Sequence, residues 1–170
     1  QYLLDSVKGL QNRLDNWHLY IGGDGPETKN LKTSIANLNL NSKVTLLGEL
    51  TKEQLHYCYE KSEIFILTNI MLNNGDADGC PIVFLEAACY GTPSIGGNLP
   101  GTKDAIIDGE TGYIVDSKKL SDVSQKLEIL INNPNLRSEM GKNAYQYVKN
   151  NYKWSNRIKD FRRINEKILN

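Results

Sequence analysis

Cysteine is scarce and unpatterned in this 170-residue sequence. Cys58, Cys80 and Cys89 are odd in number, and none sits at CxxC spacing. That argues against a disulfide framework or a zinc site, and for reduced thiols in a cytoplasmic setting. A charge excess of either sign is lacking too, since Lys plus Arg and Asp plus Glu are 20 each. Broad attraction to nucleic acid or acidic lipid is therefore not expected, and any anion site must be local. No apolar run approaches the roughly 20 residues of a membrane span, and no stretch reads as a signal peptide. The mean hydropathy of -0.47 fits a soluble protein. A peripheral membrane contact through residues outside this chain is left open. Histidine is nearly absent: His18 and His56 lie far apart, with no carboxylate or cysteine at metal spacing. They read as surface or structural residues, and no metal site is expected.

What is present is an alternation of helix and strand. Leu3, Leu4, Val7, Leu10 and Leu14 recur at helical spacing over 1–14. Trp17 to Ile21 reads as a strand ended by Gly22-Gly23-Asp24-Gly25-Pro26, then a helix runs from about Glu27 to Leu38. Lys43 to Leu47 is the next strand, closed by Gly48. Thr51 followed by Gln54 has the form of a capping box for a helix to about Glu60. Glu63 to Thr68 carries a continuous apolar run expected to be a buried strand. A helix over about 81–90 stops at Gly91, and short strands follow at 93–95 and 112–115. Helices near 117–132, 134–150 and 154–169 close the chain. Such alternation predicts one α/β domain, a Rossmann-like doubly wound parallel sheet covered by helices on both faces. Ligands then bind at the carboxyl ends of the strands, where the loops 22–26, 48–50, 69–80 and 96–103 should gather.

The segment from Asp78 to Glu86 is the most informative. Gly79 permits backbone conformations closed to other residues, and Pro81 suits the first position of a helix. Ile82, Val83, Phe84, Leu85, Ala87, Ala88 and Cys89 make that helix apolar almost all round, so it is expected to be buried. Glu86 is then a carboxylate in an oily helix and needs donors from the protein or from a ligand. The amides of Gly79, Cys80, Ile82 and Val83 cluster at the helix start, where N–H groups and the helix dipole attract anions. An ordinary helix start capped by Asp78 is the plainer reading, as is a core Glu86 paired with a basic residue.

Other candidates are weaker. Gly23-Asp24-Gly25-Pro26 lacks dinucleotide spacing, because Thr28 stands where a third glycine is needed, and no Walker-type Gly-Lys-Ser/Thr follows. It reads as a tight strand-to-helix turn or as one wall of a cleft. Cys80, at a helix N-terminus, has a position that lowers thiol pKa, but no histidine in the pattern supports a nucleophile. Lys103, in the loop from Pro100 to Asp104, reads as a solvated lysine that could meet a phosphate.

The order of motifs carries more than any single one. Ile21-Gly22-Gly23-Asp24-Gly25-Pro26, then Val44-Thr45-Leu46-Leu47-Gly48, then Asp78 to Ala88, then Gly91-Thr92-Pro93 and Asp108-Gly109-Glu110-Thr111-Gly112, resembles the donor-binding half of family 4 retaining glycosyltransferases. The likeness runs almost to the end, through Tyr152-Lys153-Trp154-Ser155. It implies the GT-B architecture, in which two Rossmann-like domains face across a cleft and the second holds a nucleoside-diphosphate sugar without a metal or other cofactor. The family's paired acids fall on Asp78 and Glu86, with aspartate replacing the first glutamate. The resemblance puts Asp78 on the donor sugar as the catalytic-site acid and Glu86 on the ribose hydroxyls. The amides of Gly79, Cys80, Ile82 and Val83 go to the sugar and phosphates, Leu50 to the nucleotide base, and Gly23 to the cleft wall. A carboxylate with two acceptor oxygens suits a vicinal diol.

The same resemblance implies that the acceptor-binding domain, and a first strand with an arginine and a lysine that clamp the diphosphate, lie outside this chain. The expected activity of the whole enzyme is hexose transfer from a UDP- or GDP-linked donor to a hydroxyl of a glycan or lipid-linked sugar. It would work in the cytoplasm, with peripheral membrane contact allowed. Rival readings are a GT-B epimerase or phosphorylase half, and a non-catalytic nucleotide-sugar-binding module. A receiver-like signalling module is a poorer fit, because the strand ends at Ile21 and Thr68 lack the acids it needs.

Overall fold

The structure is a computed structural model that describes residues 2–11, 13–71, 75 and 81–153. Its elements alternate as the sequence predicts: α1 (Tyr2–Gln11), β1 (Leu19–Gly22), α2 (Thr28–Asn37), β2 (Val44–Gly48), α3 (Lys52–Lys61) and β3 (Phe65–Leu67), then α4 (Ile82–Cys89), β4 (Ser94–Gly97), α5 (Pro100–Ala105), β5 (Gly112–Val115), α6 (Leu120–Asn132) and α7 (Pro134–Asn151). The last helix expected from sequence, near 154–169, lies outside the described residues.

All strand pairing between these elements is parallel, but the sheet is in two pieces. β1 pairs with β2, and β3, β4 and β5 form a separate three-stranded sheet in that order. The single sheet expected from the alternation is thus interrupted between β1 and β3. Among the described residues, no strand joins them. One apolar core nevertheless spans both pieces. Ile21 and Leu46 from the first and Ile66, Ile95 and Val115 from the second pack in one cluster with Leu4, Val7 and Leu10 of α1 and Val123, Leu127 and Leu130 of α6.

The interruption has a cost in burial. The run Ile64-Phe65-Ile66-Leu67, expected to be buried, is only half-buried. A strand paired on one side exposes more of itself than one enclosed on both. By contrast all four residues of β4, which has two neighbours, are buried.

Local signals explain two of the helix ends. The Thr51 hydroxyl accepts from the Gln54 N–H at 3.3 Å, and the Gln54 carboxamide oxygen accepts from the Thr51 N–H at 2.9 Å. These reciprocal bonds satisfy donors that a helix start otherwise leaves open. Gly91, past the end of α4, takes φ 70°, the left-handed region that glycine enters without steric penalty. It also lies against α7 so closely that a Cβ on Gly141 would sit 1.9 Å from the Gly91 carbonyl oxygen. Two glycines therefore bring the end of α4 and the middle of α7 into backbone contact.

Two expectations are corrected. The segment 96–103 is not all loop: Pro100 opens a six-residue helix, and Lys103 stands exposed on it. Pro81 is not the first helical residue but the N-cap, extended at φ -64° and ψ 100°, with the helix beginning at Ile82.

Candidate functional site

The carboxyl ends of the strands divide into two clusters. In the first, the loops after β1 and β2 are tied by the Gly23 N–H donating to the Gly48 carbonyl at 2.7 Å. Gly23 has φ 116° and Gly48 φ 70°, so both turns need glycine for backbone reasons. Leu50 folds back over Gly22, where an added Cβ would lie 2.7 Å from its Cδ1. Asp24 then closes the turn into α2: its Oδ1 accepts from the Gly25 N–H at 2.8 Å and from the Thr28 hydroxyl at 2.6 Å. The Thr28 bond first, and the Gly25 bond next, hold the Asp24 carboxyl below the usual carboxylate range. The loop is thus a self-satisfied strand-to-helix turn, and Thr28, which breaks the dinucleotide spacing, is part of its closure. The Gly23 amide is engaged within the protein.

In the second cluster, the ends of β3, β4 and β5 meet around Asn69. Its Oδ1 accepts from the Gly97 N–H at 3.2 Å, and its backbone carbonyl accepts from the Ser117 hydroxyl at 3.1 Å. The Gly97 bond fixes which way the carboxamide faces. Asn69 Nδ2 is then buried with no hydrogen-bond partner among the described residues. Such orphaned donors are uncommon in folded proteins and call for an explanation.

Helix α4 stands beside this cluster. Phe84, Ala87 and Ala88 are buried, but the helix is not covered all round. Ile82 is 64% exposed, Glu86 is half-buried, and Cys89 and Tyr90 are exposed. Residues four apart share a helix face, so Ile82 and Glu86 lie on one open stripe. The expectation of an all-round buried helix is corrected accordingly. Pro81 makes no side-chain capping bond at the start of this helix. Ile82 and Val83, predicted to offer amides, form its first turn, with Val83 half-buried. Asp78, Gly79 and Cys80 lie outside the described residues.

Among the described residues Glu86 is paired with no base, yet it is not without a protein partner. Its Oε2 accepts from the Tyr59 hydroxyl at 3.0 Å. Sequence reading missed Tyr59, which sits on α3 and is only 2% exposed. Burial first, and then the bond to Glu86, push its phenol well above the ordinary tyrosine value. Tyr59 therefore stays a protonated donor at neutral pH. Desolvation first, and the Glu86 charge second, also raise the Cys89 thiol. Burial and the nearby negative group thus favour its neutral thiol form.

Elsewhere the weaker candidates take ordinary roles. His18 shares a bond with the Thr45 hydroxyl at 2.8 Å, and the His56 ring lies 6.0 Å from that of Tyr90. Among the described residues, no group of three or more His, Cys, Asp or Glu side chains is placed to hold a metal ion. No helix among them is long and apolar enough to cross a membrane.

Comparison with known proteins bears on this geometry. The family model described as glycosyl transferases group 1 matches residues 1–147. An uncharacterized glycosyltransferase of Haemophilus influenzae is 29% identical over 140 residues, covering 82% of this chain and 37% of that protein. A GDP-mannose-dependent alpha-(1-6)-phosphatidylinositol monomannoside mannosyltransferase of Mycolicibacterium smegmatis is 25% identical, covering 91% of this chain and 41% of that one. The chain therefore spans about two fifths of the length of these curated relatives. Among solved structures, Anabaena HepE in complex with UDP and glucose superimposes with a TM-score of 0.79 at 16% identity, covering 99% of this chain and 44% of that one. At that identity the likeness speaks for the fold alone.

Proposed function

This chain belongs to the group 1 glycosyl transferases and has the Rossmann-like α/β fold of a GT-B domain, and from that premise we propose that it is the donor-binding half of a retaining, family 4-type hexosyltransferase. The whole enzyme would move a hexose from a UDP- or GDP-linked sugar to a hydroxyl of a glycan or lipid-linked sugar. It would act in the cytoplasm or peripherally on the inner membrane face. The observation that carries the reading is Glu86. It is a carboxylate on the open stripe of α4, one turn beyond a helix start whose N-cap residue makes no side-chain cap, and its Oε2 takes a neutral hydroxyl donor rather than a cation.

Each part has a chemical task on this reading. Glu86 accepts from the ribose diol, since a carboxylate can take two hydroxyl donors. The amides of Ile82 and Val83, with those of Gly79 and Cys80, face the diphosphate. There the helix dipole favours negative charge, and charge grows as the diphosphate departs. Asp78 contacts the donor sugar. Leu50, folded over Gly22, presents its backbone to the base, and Gly23 keeps the neighbouring wall free of side chains. The acceptor domain, and a strand that would join β1 to β3 and bring the diphosphate clamp, belong to polypeptide outside this chain. The interrupted sheet over one continuous core supports that division.

The test is titration with UDP, GDP and ADP and their sugars, comparing wild type with Glu86→Ala. Loss of a charge-assisted bond is worth about 1.5–3 kcal/mol, so binding of the preferred nucleotide should weaken by at least tenfold. Equal affinity of the two proteins would remove Glu86 from the ribose site. The chain alone should show little transferase activity, and full turnover without further polypeptide would contradict the proposed division of the site.

A further inference from the structure

We infer that Tyr59 is a positioning residue for the donor site: its hydroxyl fixes the Glu86 carboxylate in the orientation that receives the ribose diol. The inference rests on the proposed role of Glu86.

Tyr59 is held on several sides. Its backbone carbonyl accepts from the buried Thr92 hydroxyl at 2.9 Å, which ties the last turn of α3 to the strand entry after α4. Its ring meets Phe65 edge-on, with centroids 5.6 Å apart, and stacks on Tyr90 at 6.0 Å. A buried aromatic packed in this way has few rotamers open to it. Glu86, by contrast, has a long and rotatable side chain on the open stripe of α4. The bond at 3.0 Å passes the rigidity of the aromatic cluster to the carboxylate.

The chemistry of the donor matters as much as its position. Lysine or arginine at this place would neutralise Glu86 and compete with sugar hydroxyls for it. A phenol donates one hydrogen bond, occupies one of a carboxylate's roughly four acceptor sites, and leaves the negative charge in place. A ribose diol then meets an oriented anion, and less ordering is left for the binding event itself.

Tyr59→Phe removes the hydroxyl and keeps the ring. Because Glu86 is only half-buried, it can turn to water in the variant, so the fold should survive; a thermal melt checks this. The ligands are the preferred nucleoside diphosphate and its 2′,3′-dideoxy counterpart, titrated into wild type, Tyr59→Phe, Glu86→Ala and the double variant. Tyr59→Phe should weaken the ribonucleotide by about three- to thirtyfold, a share of the bond's full worth, and leave the 2′,3′-dideoxynucleotide, which has no hydroxyl for Glu86, within twofold. In the Glu86→Ala background it should have no further effect, since the two groups act as a unit. Equal weakening of both nucleotides, or full additivity with Glu86→Ala, would make Tyr59 a packing residue and overturn the inference. If Glu86→Ala weakens binding and Tyr59→Phe does not, this inference alone fails. If Glu86→Ala changes nothing, the ribose role itself is lost.

Discussion

Strands β4 and β1 end in glycines that do opposite jobs. β4 lies between two neighbours and is buried throughout, and Gly97 at its end has no room for any side chain: a Cβ would lie 2.0 Å from the Asn69 carbonyl oxygen. β1 has a partner on one side and alternates half-buried with exposed residues. Past its end, Gly23 has nothing within 4 Å of an added Cβ, yet its φ of 116° belongs to glycine. One glycine is required by its surroundings and the other by its own backbone. The first half of the molecule is shaped by local turns, the second by close packing around Asn69 and α4.

Substitutions can break this contrast. Gly97→Ala should have the largest effect, about 3 kcal/mol of lost stability, because backbone rather than a flexible side-chain tip must yield. Gly23→Ala should cost about 1–2 kcal/mol through strain at positive φ, with no packing defect elsewhere. Denaturant melts rank the two, and a reversed order would mean that crowding and strain are assigned to the wrong ends.

The two halves should also part company in pH. Asp24 titrates below its usual value, so its bonds contribute stability above the unfolded carboxylate pKa, and this is lost as pH falls below about 4. Tyr59 titrates above its usual value, so its contribution is complete below the unfolded phenol pKa and disappears as pH rises beyond about 10. Asp24→Ala should therefore flatten only the acid limb of the stability profile, and Tyr59→Phe only the alkaline limb. The smallest effect belongs to Gly25→Ala. That position has open space and no positive φ, so the change should stay within about 0.5 kcal/mol.

The legible parts of the fold were those decided locally. The Thr51 and Gln54 capping box, the stop at Gly91 and strand β5 depend on neighbours in sequence. Helix α5 was not legible because six residues are too few to display an apolar period, and Gly96-Gly97 before it reads as a turn. The open stripe of α4 was hidden for a related reason. When nearly every side chain of a short helix is apolar, composition does not tell which face the protein covers. At the site, Glu86 announced itself as a charge in apolar company. Its donor could not be found that way, because Tyr59 lies 27 positions earlier on another helix, and only the folded chain brings them together. Asn69 was equally silent, since an orphaned amide is a property of packing.

The interrupted sheet has a practical consequence for handling this polypeptide. Among the described residues, β3 offers one side of its backbone to no partner, and its sequence Phe65-Ile66-Leu67, preceded by Ile64, carries no charge to repel a stranger. A bare apolar margin of this kind invites adhesion between copies, and concentrated solutions should cloud or form soluble clusters before they show any loss of helix.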